Sequence, residues 1–189
     1  MKFPRWDYAL RVRLPLLVFS AAAGFAGTYY FSRAERDGVG YAPAQPVAFS
    51  HRLHAGTMGI ACAYCHTGAA VSRHAGVPPA AVCMNCHAAA RKNRPEIVKL
   101  TALYEKGESP RWKRIHRVPD YAYFGHSVHV AKGIPCGSCH GPVENMEAVS
   151  QTAPFTMGAC LDCHRNAPER LKGIGGIARG PEHCSACHR

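Results

Sequence analysis

Strand signals are weak along all 189 residues, and 18 glycines with 14 prolines break up any long regular patterning. Many turns and short helices are expected instead. A large all-protein core is not expected, because loop-rich chains of this size need staples or bound groups to hold together. Acidic residues are scarce: 12 Asp and Glu face 23 Lys and Arg, for a formal charge of +11. Charged residues make up 19% and apolar ones 47%, a balance that excludes wholesale disorder. Cysteine is absent outside one pattern.

That pattern is Cys-x-x-Cys-His, and it occurs five times. The pairs are Cys62 and Cys65, Cys83 and Cys86, Cys136 and Cys139, Cys160 and Cys163, and Cys184 and Cys187. Each is followed directly by a histidine: His66, His87, His140, His164 and His188. Chance would supply roughly 0.03 such pentapeptides at this composition. The motif reads as covalent attachment of haem c. Two thiols add across the vinyl groups of one haem, and the adjacent histidine binds the iron from the proximal side. Zinc knuckles need Cys-x-x-Cys pairs in twos and no histidine after each. Five pairs leave one unmatched, and disulfides within each motif explain nothing about the histidines.

Residues 14–31 carry no charge over 18 positions, near the lower limit for a membrane-spanning helix. Lys2, Arg5, Arg11 and Arg13 precede the run, which places residues 1–13 in the cytoplasm and everything after the span outside. The alternative is a signal peptide cleaved near Ala21–Ala23, but the run is longer than a usual signal core. A retained single-pass anchor is the expectation, with the rest of the chain on the periplasmic side of the inner membrane, where haem c is attached. Ser20, Gly24 and Thr28 recur at four-residue spacing, a stripe that lets another helix approach closely in lipid.

Beyond a linker at 32–48 the sequence repeats. Phe49-x-His51-x-x-His54 precedes the first motif, and Phe124-x-His126-x-x-His129 precedes the third. Residues 49–87 and 124–164 therefore read as two di-haem modules, and 165–189 adds a fifth haem; together 49–189 form one pentahaem domain. Between the modules, Ile97, Leu100 and Leu103 recur at helical spacing, so 95–106 is expected to be a short amphipathic helix.

Five irons need five distal ligands if all are six-coordinate, and seven histidines remain for them. His51 and His54, like His126 and His129, are spaced i, i+3, so each pair projects from one face of a helix and can reach two different haems. These four and His116 are the expected distal set. Met157 and Met146 are alternatives for one position, where a thioether would raise the potential. His74 and His183 are expected to be peripheral. Ten propionates and five ferric porphyrins bring the charge to about +6, and about +1 on reduction, so Arg91–Arg94 and Arg111–Arg117 are read as propionate or partner contacts. Nucleic-acid binding is not supported.

The stretch 49–166 resembles the pentahaem, membrane-anchored cytochrome c subunit of bacterial alternative complex III, a quinol:electron-acceptor oxidoreductase. The matching words are FSHRLH, IACAYCHTGA, AGVPPAAVCMNCH, HRVPDYAYFGHSVH, GIPCGSCHGPVENM and TMGACLDCHRN. The Phe-x-His-x-x-His element also looks like that of small multihaem class III-type cytochromes. The resemblance implies partners: an iron–sulfur subunit related to molybdopterin enzymes, polytopic quinol-binding subunits and a monohaem cytochrome c. It implies that electrons pass from quinol through this chain to a periplasmic carrier or terminal oxidase. The expected class is thus a multihaem cytochrome c, loop-rich with short α-helices, little β and one transmembrane helix, with no catalytic site of its own. The rivals are a stand-alone anchored quinol dehydrogenase, disfavoured by the 30 residues between Phe31 and Cys62, and a catalytic multihaem reductase, which needs an open iron.

Overall fold

The computed structural model describes residues 5–32 and 38–189. Residues 1–4 of the expected cytoplasmic segment and 33–37 of the expected linker lie outside them. Two compact units result, Met1–Asp37 and Gly38–Arg189.

In the first unit the apolar run forms one helix, α1 (Leu14–Phe31), about 27 Å long at 1.5 Å per residue. Pro15 sits in its first turn. A proline ring crowds the carbonyl four residues back and offers no N–H. The chain ahead widens correspondingly into a π-turn at Ala9–Arg13. The combined helix Trp6–Phe31 spans 26 residues with mean hydropathy 1.5, long and apolar enough to cross a membrane, a property that anchors and signal sequences share. Along the stripe of small residues, Thr28 Oγ1 donates to the Gly24 carbonyl at 2.9 Å, which satisfies the hydroxyl within the helix.

The second unit holds seven short α-helices. They are α2 (Cys62–Cys65), α3 (Ala80–His87), α4 (Pro95–Glu105), α5 (His126–Ala131), α6 (Gly137–His140), α7 (Met157–Arg165) and α8 (Ala167–Arg170). Among the described residues there is no strand, only a single parallel bridge between Val39 and Gln151. Helix starts follow local chemistry. Pro95 opens α4, where a missing N–H costs nothing, and Glu96 in the first turn pairs with Lys99 at 2.6 Å. Thr156 caps α7 by accepting the Ala159 N–H at 3.2 Å.

Leu100 turns inward from α4 while Val98 is exposed, as its amphipathic spacing requires. The strap at 45–48 ties α4 and the connector together. Gln45 clamps the Lys113 backbone through both amide atoms, at 3.1 and 2.9 Å, and the Ala48 N–H donates to Glu96 at 2.8 Å. Among the described residues the buried ones are few: Val47, Ala80, Leu100, Pro110, Gln151, Ala167 and Leu171. They are scattered along the chain and mostly small, so side-chain packing alone does not account for a compact unit of this length.

Candidate functional site

All five Cys-x-x-Cys-His motifs fall on a helical turn. Cys62 and Cys65 bound α2, Cys83 and Cys86 lie in α3, Cys136 caps α6, Cys160 and Cys163 lie in α7, and Cys184–Ala186 is a 3-10 turn. One turn places residues three apart on one face, so both sulfurs point the same way with the histidine beside them. None of the ten thiols is in a disulfide. Among the described residues no three His, Cys, Asp or Glu side chains converge as a zinc site would need.

The histidine rings are held by backbone carbonyls. Proximal candidates His66, His87, His164 and His188 set Nδ1 against the carbonyls of Gly76, Ala90, Pro181 and Tyr121 at 2.6, 3.1, 2.7 and 3.0 Å. Distal candidates His54, His126 and His129 do the same with Ser50, Arg73 and Gly125 at 2.8, 2.9 and 2.8 Å. A carbonyl can only accept, so Nδ1 is the protonated nitrogen and Nε2 keeps its lone pair. That is the arrangement of metal-ligating histidines, whose second nitrogen is bonded to an outer acceptor.

Ring separations sort the histidines into pairs. An iron–imidazole bond is about 2 Å and the ring centre lies about 1.1 Å further out, so two axial rings across one iron stand about 6.2 Å apart. His54 and His87 are 6.2 Å apart, His126 and His140 6.2 Å, and His129 and His164 6.3 Å. The donor set therefore fits haem c on both counts, ring spacing and tautomer.

The two Phe-x-His-x-x-His elements have nearly the same internal geometry. Phe49 meets His51 edge-on at 4.8 Å and stacks on His54 at 4.3 Å; Phe124 meets His126 at 4.9 Å and stacks on His129 at 4.7 Å. One phenylalanine thus meets one imidazole edge-on and stacks on the other. His51 is half-buried, and burial, then the neighbouring His66 and His54, lower its pKa to about 4. It is neutral, as a ligand must be. Its buried Nδ1 has no hydrogen-bond partner.

His116 is placed differently. Its ring stands 4.4 Å from His140, edge-on, and 5.9 Å from Phe155. Burial, then His140 and His51, bring its pKa to about 4, and its Nε2 is buried without a partner. The structure brings it to His140 and His51. His74 and His183 are exposed. Met157 is 67% exposed at the start of α7, and the Met146 carbonyl accepts the Arg52 N–H at 2.9 Å.

Sequence reasoning missed the carbonyl acceptors, which carry no side-chain signal. It also missed Gly180, whose N–H donates to the His164 carbonyl at 2.9 Å. A Cβ there would meet His164 Cγ at 2.5 Å. Gly180→Ala is expected to displace that ring; in protein carrying haem c, the measurement is a fraction of the haem absorbance leaving its low-spin form while the rest is unchanged.

Comparison with known proteins agrees with this chemistry. The family described as cytochrome c7 and related cytochrome c matches residues 122–189, the segment carrying the last three motifs. The menaquinone reductase, multiheme cytochrome c subunit, of Nitratidesulfovibrio vulgaris is 28% identical over 168 residues, covering 77% of this chain and 77% of that protein. The chain is similar to both. Its fold is that of a multihaem cytochrome c domain: helical, without strands among the described residues, and preceded by one apolar N-terminal helix.

Proposed function

We propose that this multihaem cytochrome c domain is the electron-relay subunit of a membrane quinol complex, holding five c-type haems. The observation that carries the reading is the set of three imidazole pairs with ring centres 6.2, 6.2 and 6.3 Å apart. Haem c supplies one-electron redox chemistry when bound; the protein sets its potential, order and exposure. The ten motif cysteines hold the rings covalently. His87 with His54, His140 with His126 and His164 with His129 would hold three of the irons. The internal repeat supports His66 with His51 for a fourth, since the element around His51 matches that around His126 in its ring geometry. His188 takes the fifth, with His116, Met157 or Met146 as the candidates for its second ligand. Iron ligated on both sides exchanges electrons and binds no substrate.

Residues 1–13 stay in the cytoplasm, 14–31 span the inner membrane, and 49–189 lie on the periplasmic side. The partners are polytopic quinol-binding subunits, an iron–sulfur subunit of the molybdopterin-enzyme type and a monohaem cytochrome c, with a periplasmic carrier or oxidase as the final acceptor.

The test is the native membrane complex, purified with its subunits identified and mixed with a reduced quinol. The haems are expected to be reduced within the complex and to stay oxidised in the isolated chain. Quinol oxidation by the chain alone would instead make it a self-standing dehydrogenase. Stoichiometric carbon monoxide binding to the reduced wild-type protein would favour a catalytic reductase. One observation favours a second reading of direction: the relative from Nitratidesulfovibrio vulgaris is named a menaquinone reductase. If this chain works that way, a reduced periplasmic carrier will drive quinone reduction by the complex, and quinol will leave the haems oxidised.

A further inference from the structure

The five motifs are not arranged in space in their chain order. The x-x residues of the first two touch directly: Asn85 Nδ2 donates to Tyr64 Oη at 3.0 Å. Cys62 of the first motif neighbours Cys136 in the third, and His140 of the third neighbours His66 of the first. Cys139 of the third neighbours Cys163 and Cys160 of the fourth, and α5 carries the distal candidates of both. Cys160 of the fourth neighbours Cys187 of the fifth. The lead-in to the fifth is fastened to the fourth by Arg165–Glu182 at 2.8 Å and by His164 on the Pro181 carbonyl. The row is therefore second, first, third, fourth, fifth. The second and fifth motifs are its ends.

The two ends differ in charge. At the fifth, Arg165 and Arg179 both pair with Glu182, and the Arg73 and Arg189 guanidinia lie over the Tyr123 ring at 4.4 and 4.6 Å. The cations there are engaged. Directly after His87, by contrast, Ala89, Arg91, Lys92, Asn93 and Arg94 line a shallow concavity of about 620 Å³. All five are exposed, and none of the three cations is in an ion pair among the described residues. The nearest acid in sequence, Glu96, is taken by Lys99 and the Ala48 N–H.

The loop is also fixed to its motif. Ala90 donates its N–H to the Cys86 carbonyl at 2.9 Å while its own carbonyl holds His87. Arg91 is the one non-glycine described residue with positive φ, at 57°, and its carbonyl accepts the Arg94 N–H at 3.0 Å. A tight turn thus presents three cations outward, one step from a ligand of the terminal haem.

We propose that the Arg91–Arg94 loop docks the acidic face of a one-electron carrier protein, which exchanges electrons with the relay at its second-motif end. The proposal rests on the relay reading above. One electron crosses per encounter, so whichever partner is oxidised reduces the other by the same count. Charge complementarity of this kind acts mainly on the encounter rate and is screened by salt.

The experiment uses the full-length holoprotein with an acidic flavodoxin hydroquinone as donor, which becomes its semiquinone. At low ionic strength, Arg91→Gln/Lys92→Gln/Arg94→Gln should lower the second-order rate of haem reduction about tenfold and flatten its salt dependence. The control Lys106→Gln/Lys132→Gln/Lys172→Gln, three exposed cations outside the loop, should change it less than about twofold. A small neutral reduced flavin should reduce all three proteins at one rate. If that flavin reduces none of them, the relay reading fails and the proposal with it. If it reduces all three but the loop variant keeps its flavodoxin rate, or both variants fall equally, docking at the loop is overturned alone. Loss of haem from the loop variant would assign the cations to propionates and overturn it too.

A structural measurement tests the row itself. In the holoprotein every native thiol is a thioether, so Lys92→Cys supplies a single site for a nitroxide. Its relaxation enhancement should fall most with Cys83→Ala/Cys86→Ala and least with Cys184→Ala/Cys187→Ala. The opposite result would overturn the order.

Discussion

Produced without haem attachment, the full-length chain is expected to show little helical circular dichroism from residues 38–189 and no cooperative melting of that unit. Its α-helices run from 4 to 11 residues, too short to persist alone in water. The buried residues of that unit are Val47, Ala80, Leu100, Pro110, Ala167 and Leu171, with Gln151. They are few and mostly small, too little buried surface to offset the entropy of ordering the backbone. Covalent porphyrin fills the interior in the reading given above, and five rings supply the apolar surface that the sequence lacks. The same logic makes the motifs unequal. Cys136→Ala/Cys139→Ala removes the centre of the row, next to both Cys62 and Cys163. It should abolish folding outright, where Cys184→Ala/Cys187→Ala removes an end and leaves four haems in a folded chain. A pyridine haemochrome assay with mass spectrometry counts the haems. A haem-free chain with native helix content and a sharp transition would refute the account of the core.

His129→Ala has the second largest expected effect. It should convert one haem in five to a high-spin form that binds one equivalent of carbon monoxide on reduction, where the parent protein binds none at that position. The change should be local. His126 is on the same helix three residues earlier, but it faces His140 and keeps its own carbonyl contact with Arg73 at 2.9 Å. Phe124 loses only its stacked partner and retains the edge contact with His126. Electron paramagnetic resonance and carbon monoxide titration read both halves of the result. High-spin conversion of two haems would mean that α5 moves as a whole, and no conversion would mean that His129 is not a ligand.

Much of this site was legible from the sequence because its chemistry is local. Five pentapeptides and two Phe-x-His-x-x-His words lie within single turns of chain, where spacing translates directly into direction. The amphipathic helix at Pro95–Glu105 was legible for the same reason: Leu100 and its neighbours follow one period. What the sequence did not disclose is through-space. Tyr64 and Asn85 are 21 residues apart and ordinary in type, so nothing marked them as joining the first two motifs. Carbonyls such as those of Gly76, Arg73 and Pro181 belong to every residue type and leave no trace in composition. His116 shows the limit well. As a surplus histidine among basic and aromatic neighbours it reads as the fifth distal ligand, but which ring it stands beside is not in its spacing: it meets His140 at 4.4 Å along the connector, where Gln45 clamps Lys113 from 68 residues away. The wide turn ahead of Pro15 was foreseeable from proline chemistry but not its register, because several residues could have absorbed the strain.

The carbonyls that hold seven imidazoles have a consequence for speed as well as for placement. A ligand tethered at its far nitrogen cannot swing when the iron beside it gains or loses charge, so little nuclear rearrangement accompanies each hop, and the activation barrier stays low. The same tether draws the Nδ1 proton outward and makes Nε2 more electron-rich, which favours the higher oxidation state. His51 and His140 have no such carbonyl contact. The two irons that the proposed relay assigns to them, adjacent at the middle of the proposed row, should therefore sit slightly above their neighbours in midpoint potential, a shallow well in which an electron pauses before it moves on.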